Sequence, residues 1–139
     1  MARTKKNLPA VRSDEPAREE FPHDWSDICG HTGIIHRLRV LAAAQRLPHA
    51  LIFCGMEGIG KRRTARVLAR TLLCTGGGDA PCGHCASCRT MAAGVHPDYF
   101  ETAPEARGKS AAMIRTDAVR DILIAASGAP VQAQRRIIL

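Results

Sequence analysis

One short segment limits the possible fold more than any other. Residues 55–64 read GMEGIGKRRT and contain the pattern G-x-x-x-x-G-K, in which glycines and a lysine form a phosphate-binding loop. Such a loop needs a buried strand before it and an amphipathic helix after it, because backbone N–H groups and the positive end of the helix hold the phosphate. Residues 50–54, ALIFC, are a continuous apolar run that predicts a buried strand of a parallel sheet. The next segment predicts the helix, whose apolar face contains Ala65, Leu68, Ala69, Leu72 and Leu73.

The loop departs from the usual pattern at one position. Arg62 follows Lys61, where a Ser or Thr normally supplies a hydroxyl oxygen to Mg²⁺. Thr64 does not replace it, because two residues along a helix rotate a side chain by about 200°. A guanidinium group binds phosphate well, so we predict weak ATP binding with weak or absent ATP turnover and no catalytic residue. The alternative is a strand-to-helix turn with a solvated lysine. The predicted nucleotide-binding residues are Gly55, Gly58, Ile59, Gly60, Lys61 and Arg62.

Four cysteines follow the predicted helix at intervals that favour a metal site. Seven, two and two residues separate Cys74, Cys82, Cys85 and Cys88. Tetrahedral Zn²⁺ binds four thiolates at about 2.3 Å, and the Cys-x-x-Cys spacing brings two sulfurs to one ion. An iron–sulfur cluster is the alternative. Because the segment is rich in glycine and poor in apolar residues, we predict a structural zinc ion that organises it and has no catalytic role.

Other reactive side chains have simpler interpretations. Cys29 and Cys54 lie in apolar contexts and are predicted to be buried free thiols. His84 lies between two predicted ligands, and we expect it near the metal or in solvent. The sequence His96-Pro97-Asp98 predicts a turn before a strand. The charged residues Asp117, Arg120 and Asp121 predict a solvated helix face.

The composition favours one domain. The chain has 139 residues, 45% of them hydrophobic and 24% charged, and a net charge of +7. Part of the positive charge lies in residues 1–22, whose composition of proline and charged residues predicts a flexible tail. Aromatic residues make up 4% of the chain, which does not support base stacking, and no Lys or Arg lies between Cys74 and Cys88. A zinc-stabilised nucleic-acid binder is therefore a less favoured alternative. No segment approaches the roughly 20 apolar residues of a membrane helix, so we expect a cytoplasmic protein without membrane contact.

The remaining segments predict alternating helices and strands. Apolar residues at Ile34, Leu38, Leu41 and Leu47 predict a helix with Thr32 as its cap and Pro48 as its stop. Residues 96–102 and 135–139 predict two short strands, and residues 103–112 a loop. Between the loop and the last strand, a helix capped by Thr116 and ended by Gly128 is supported by Ile114, Val119, Ile122, Leu123 and Ala126.

These motifs together carry a family likeness. A glycine loop with its lysine, then a helix, then a four-cysteine module resembles the clamp-loader subunits of bacterial DNA polymerase III, which are AAA+ proteins. The likeness covers roughly residues 24–139. The segments DICGH, RLPHALIFCG, CGHCASC, HPDYF, IRTDAVRDI and RRIIL resemble most the delta-prime family of these subunits. The gamma/tau motor subunits share the cysteine module but have Ser or Thr after the loop lysine.

The resemblance implies a fold, a role and partners. It implies an α/β fold, in which residues 23–139 form the N-terminal part of an AAA+ P-loop NTPase domain with a parallel sheet and an inserted zinc module at residues 74–88. Family features such as the second acidic motif and the arginine finger would follow Leu139. The implied role is a poorly hydrolysing stator in DNA replication. The implied partners are the gamma/tau and delta subunits and, through the complex, the sliding clamp and primer-template DNA. An ATP-hydrolysing motor subunit or another AAA+ ATPase is the alternative.

Overall fold

Four α-helices, one 3₁₀ turn and two short strands make up the regular structure of the described residues. The computed structural model describes residues 21–76, 80–104 and 113–139, so the predicted tail up to residue 20 and most of the predicted loop at 103–112 lie outside the described residues. A 3₁₀ turn at Trp25–Asp27 precedes α1 (Thr32–Ala43), α2 (Lys61–Leu73), α3 (Ala86–Ala92), β1 (Tyr99–Phe100), α4 (Thr116–Ala126) and β2 (Ile137–Ile138).

Helix α2 lies at the centre of the packing, as its predicted apolar face requires. Its two long sides contact different clusters, because apolar residues at spacings of three and four cover more than one stripe. One cluster consists of Trp25, Ile35, Leu38, Val67 and Leu68, which joins α2 to α1. The second consists of Ala69, Leu73 and Met91, with Tyr99 and Ile137 packed against it, and joins α2 to α3 and the sheet.

The two strands form a parallel pair, which confirms the predictions at residues 96–102 and 135–139. Tyr99 pairs with Ile137 and Phe100 with Ile138. Aromatic and β-branched residues favour this pleated arrangement. Backbone hydrogen bonds of 2.9 Å from Ile137 N to Asp98 O and from Leu139 N to Phe100 O hold the register. The α/β character is therefore present, in a sheet of two described strands.

The prediction of a buried strand at residues 50–54 is wrong for the described structure. These residues have no regular secondary structure, and Leu51 and Ile52 are 42% and 89% exposed. A strand is stabilised by its ladder partners, and within the described ranges the only sheet is the pair of β1 and β2. The segment instead lines a groove of about 670 Å³, with residues 137–139 among the other lining residues.

Helix ends differ from the sequence prediction by a few residues. Thr32 and Thr116 are the first residues of α1 and α4, and neither is a cap. Leu47 lies beyond α1, which buries Ile35 and Leu38 but leaves Ile34 58% exposed. In α4 no residue is buried, so the apolar spacing there correctly predicts a helix but not its packing.

Two residues that the sequence assigns to the tail belong to the packed structure. Pro22 is fully buried, and its carbonyl accepts a 3.1 Å hydrogen bond from the Arg70 guanidinium. The ring of Phe21 packs edge-on against Tyr99, with 5.9 Å between the ring centroids. The packed part of the chain therefore includes Phe21 rather than beginning at His23.

Candidate phosphate loop and metal centre

The glycine loop adopts a backbone that glycine permits and other residues rarely adopt. Gly58 and Gly60 have φ values of +78° and +91°, in the left-handed region. Helix α2 begins directly after Gly60, so the positive end of its dipole faces the loop. The Lys61 ammonium group donates to the carbonyl oxygens of Gly55 and Met56 at 2.9 and 2.7 Å. The loop carbonyls thus hold the lysine at the loop itself.

Arg62 is bound by a carboxylate that is distant in sequence. Its Nε donates a 2.5 Å hydrogen bond to Glu101 Oε1, 39 residues further along the chain. Arg66, one turn later on α2, contacts the same carboxylate, with 2.9 Å from its terminal nitrogen to Oε1. The Tyr99 hydroxyl donates to Glu101 Oε2 at 2.7 Å. Glu101 therefore joins the first turns of α2 to the end of β1.

The charge of Glu101 is stabilised by these contacts. Burial opposes ionisation of its carboxyl group. The hydrogen bonds from Arg66, Tyr99 and Arg62 outweigh burial and lower the pKa of Glu101 below its ordinary value. Burial and the neighbouring carboxylate raise the pKa of Tyr99, so its hydroxyl stays protonated and remains a donor. The cluster is thus an anion surrounded by donors.

The hydroxyl group that follows Lys61 most closely along α2 is bonded within the helix. Thr64, the nearest hydroxyl along α2, donates to the Gly60 carbonyl at 3.0 Å. Its side chain lies in the helix groove and is buried. This agrees with the expectation that Thr64 does not replace the missing Ser or Thr. Ile59, also predicted at the site, is 37% exposed within the loop.

The four predicted ligand cysteines come together in space. Their sulfur atoms all lie within 4.8 Å of one another, and Cys74 Sγ and Cys85 Sγ are 3.9 Å apart. Four sulfurs about 2.3 Å from one tetrahedral ion lie about 3.8 Å from each other. A multi-iron cluster holds at least some of its thiolates farther apart, because they bind different iron atoms. The spacing therefore fits a single metal ion.

Hydrogen bonds and burial divide the four thiols into two kinds. Burial opposes ionisation of Cys85, but hydrogen bonds from the Cys88 N–H and from Thr75 outweigh it and lower its pKa to about 5. Hydrogen bonds from the His84 and Cys85 N–H groups lower the pKa of Cys82. Burial raises the pKa of Cys74, and it raises that of Cys88 to about 12. A bound cation would stabilise all four as thiolates.

Helix α3 places the last ligand and anchors the metal module. Cys85 caps the helix, since its sulfur accepts from the Cys88 N–H at 3.3 Å. In the first turn of α3, the Ser87 hydroxyl donates to Leu73 O at 2.5 Å and lies 2.7 Å from His96 Nε2. The Asp98 N–H donates to His96 Nδ1 at 3.0 Å, which makes Nε2 the protonated nitrogen. Ser87 is therefore held by His96 as a structural group and not activated as a nucleophile.

Sequence reasoning missed three residues around the candidate sites and misplaced two. The sequence predicts only that Glu101, His96 and Asp98 lie in a strand or a turn. In the structure, each of these side chains makes two or more hydrogen bonds. Asp98 is fully buried and accepts backbone N–H bonds from Val131, Gln132 and Ala133. Cys29 and Cys54 are exposed, so the prediction of buried thiols is wrong. His84 is exposed, and its Nδ1 lies 2.8 Å from Cys82 O, which agrees with the expected position near the metal or in solvent.

Comparison with known proteins places the chain in a family. A family model described as "DNA polymerase III, delta subunit" matches residues 30–139. The chain belongs to this family. Among similar proteins, the "DNA polymerase III subunit delta'" of Pseudomonas aeruginosa is 46% identical over 76 residues, which are 54% of this chain and 22% of that protein. The subunit of the same name from Escherichia coli is 42% identical over 80 residues, 57% of this chain and 23% of that protein.

Proteins named as tau or gamma/tau subunits also match. The "DNA polymerase III subunit tau" of Escherichia coli is 32% identical over 124 residues, 88% of this chain and 18% of that protein. The identity is lower than for the delta' relatives, although the matched segment is longer. The chain spans about a fifth of the length of the curated relatives that it matches. Within the described ranges, no helix is both long and apolar enough to cross a membrane.

Proposed function

We propose that the chain acts in DNA replication as part of a delta-prime-like subunit of the DNA polymerase III clamp loader. In this role it is a poorly hydrolysing stator that helps to place the sliding clamp on primer-template DNA. The gamma/tau and delta subunits are its direct partners, and the clamp and DNA are reached through the complex. The family match and the delta' relatives support this assignment. The proposed location is the cytoplasm.

The proposal depends on which residue follows the loop lysine and on what that residue binds. Arg62 occupies it, and its Nε is bound to Glu101 rather than offering an oxygen. The Thr64 hydroxyl is bound to Gly60 O. Magnesium coordinates oxygen ligands, and its placement at the outer phosphates is central to phosphoryl transfer in these loops. A loop without that ligand supports a subunit that does not drive the ATPase cycle.

We also propose that the four-cysteine cluster binds one structural zinc ion. The donor set of four thiolates and the sulfur separations fit zinc. Cys74, Cys82, Cys85 and Cys88 would hold it, and a closed set of four protein ligands leaves no position for water. The ion would tie the end of α2 to the start of α3 and stabilise a segment with little apolar content.

A motor subunit is the second candidate, because the tau relative matches along 88% of the chain. An ATPase assay separates the two. The full-length protein, alone and with primed DNA and clamp, should release no phosphate above background, whereas it should form a stable complex with gamma/tau on size-exclusion chromatography. Phosphate release that primed DNA stimulates, in the absence of any other clamp-loader subunit, would favour the motor subunit. Failure to bind gamma/tau would contradict the proposed partners.

A further inference from the structure

The position of Arg62 raises a question about the ligand that the glycine loop accepts. Glu101 follows β1 directly, and the carboxyl ends of parallel strands form the crevice where α/β proteins bind ligands. Because Arg62 contacts Glu101, the first turn of α2 lies at this end of β1. The guanidinium group is thus beside the loop on the side where phosphate binds such motifs.

The contact with Glu101 orients Arg62 without using all of its donors. The hydrogen bond comes from Nε, and among the described residues Arg62 has no other partner. Its side chain is 48% exposed, whereas that of Glu101 is 15% exposed. The two terminal nitrogens of Arg62 therefore remain available as hydrogen-bond donors. Arginine held in this manner offers a fixed pair of N–H donors, which match two oxygens of a phosphate.

The local charge does not favour a divalent ion. Two cations, Arg62 and Arg66, contact the single carboxylate of Glu101, which also accepts from the Tyr99 hydroxyl. Lys61, the residue before Arg62, adds a third positive charge at the loop. Glu57 is the one acidic residue of the loop and is exposed. Within the described ranges, the four thiols form the only group of three or more potential metal ligands. A polyphosphate is attracted to this cluster, whereas Mg²⁺ is repelled.

We propose that Arg62, oriented by Glu101, takes the place of the metal ion, so that the loop binds a nucleoside diphosphate or triphosphate in its metal-free form. This inference rests on the nucleotide loop of the proposed function. Lys61 leaves the carbonyls of Gly55 and Met56 to reach the phosphates, while Arg62 is already in position. Arg62 and Glu101 are positioning and binding residues, and no bond of the nucleotide is broken.

Calorimetric titration of the full-length protein with ADP, in Mg²⁺ and in excess chelator, tests the proposal without any mutation. We expect the affinity for ADP in excess chelator to equal or exceed the affinity for ADP in Mg²⁺.

Variants at Arg62 test its role in binding. Arg62→Ala should weaken ADP binding about tenfold or more, the loss expected for a charge-assisted hydrogen bond. Arg62→Thr, which restores a hydroxyl, should make binding stronger in Mg²⁺ than in chelator. Thermal unfolding of each variant checks that it is folded.

For Glu101→Gln, the direction of the change in ADP affinity separates two explanations. A simple count of charge predicts tighter ADP binding, because a negative group is removed; the orienting role predicts weaker binding. Glu57→Gln is the matched control, for which tighter or unchanged binding is expected. Binding that requires Mg²⁺, absence of ADP binding, or tighter binding by Glu101→Gln would overturn the inference. Each of these results is separate from steady phosphate release, which would instead contradict the proposed stator.

Discussion

The Ser87 hydroxyl lies 2.7 Å from His96 Nε2, and both residues are buried. Burial lowers the pKa of His96 below its ordinary value, although the Asp98 carboxylate opposes this effect. The neutral imidazole is the form that both of its hydrogen bonds require, since Nδ1 accepts and Nε2 donates.

The first prediction concerns the titration of His96. The folded chain should keep this imidazole neutral below pH 6.5, near which a free histidine titrates. Because the unfolded chain takes up the proton at higher pH, the contribution of His96 to stability is complete above about pH 6.5 and decreases as the pH falls toward the folded pKa. Nuclear magnetic resonance of the His96 ring should show this depressed midpoint. A titration midpoint above the ordinary pKa of histidine would contradict the buried, neutral state of the His96 imidazole.

The second prediction concerns Asp98. Its carboxylate accepts three backbone N–H bonds from residues 131–133, at 2.7, 2.7 and 2.8 Å, and these bonds lower its pKa despite burial. Asp98→Asn should reduce the free energy of unfolding by about 2–4 kcal/mol, because an amide cannot accept on both sides. Urea denaturation measures the change. Asp117→Asn, at a side chain 72% exposed, is the control and should unfold like the parent chain.

The third prediction tests the proposed zinc ligands. Metal analysis of the purified protein should give about one zinc ion per chain, and Cys85→Ser should lose most of it. The exposed thiols of Cys29 and Cys54 supply matched controls, because Cys54→Ser should retain the full zinc content. Equal zinc in Cys85→Ser and Cys54→Ser, or iron in place of zinc, would refute the assignment.

The fourth prediction uses two glycines with different surroundings. A Cβ atom added at Gly76 would lie 2.5 Å from Cys82 Sγ, so a sulfur would have to move. Gly76→Ala should therefore weaken zinc retention against a competing chelator. In α1, a Cβ added at Gly33 meets nothing within 4 Å, and Gly33→Ala should raise helix stability by up to about 1 kcal/mol without changing zinc retention. Similar chelator sensitivity of both variants would show that the crowding at Gly76 is unimportant.

The sequence predicts those parts of the structure that depend on local pattern. Helix α2 and the cysteine cluster follow from spacings within a few residues, so they are found where predicted. The contact of Arg62 with Glu101 joins residues 39 apart, and the Asp98 bonds join residues 33–35 apart. No local periodicity encodes such pairs. The failure at residues 50–54 has the same origin, because an apolar run becomes a strand only beside a partner strand.

The misplaced thiols show the limit of local apolar context. Cys54 ends an apolar run, but that run is mostly exposed, so the cysteine is exposed with it. Helix α4 gives a similar result, since its spacing predicts the helix while Val119 and Leu123 remain 43% and 64% exposed. Hydrophobic periodicity indicates which side chains share a face. It does not indicate what covers that face.

In the proposed function, the glycine loop lacks the oxygen ligand that metal-assisted hydrolysis needs, and the subunit is passive for that reason. The most direct test is phosphate release from ATP by the purified full-length protein, in Mg²⁺ and with primed DNA, beside its Lys61→Ala variant. We predict that both proteins release phosphate at the same background rate. Steady turnover by the parent protein that disappears in Lys61→Ala would contradict the account.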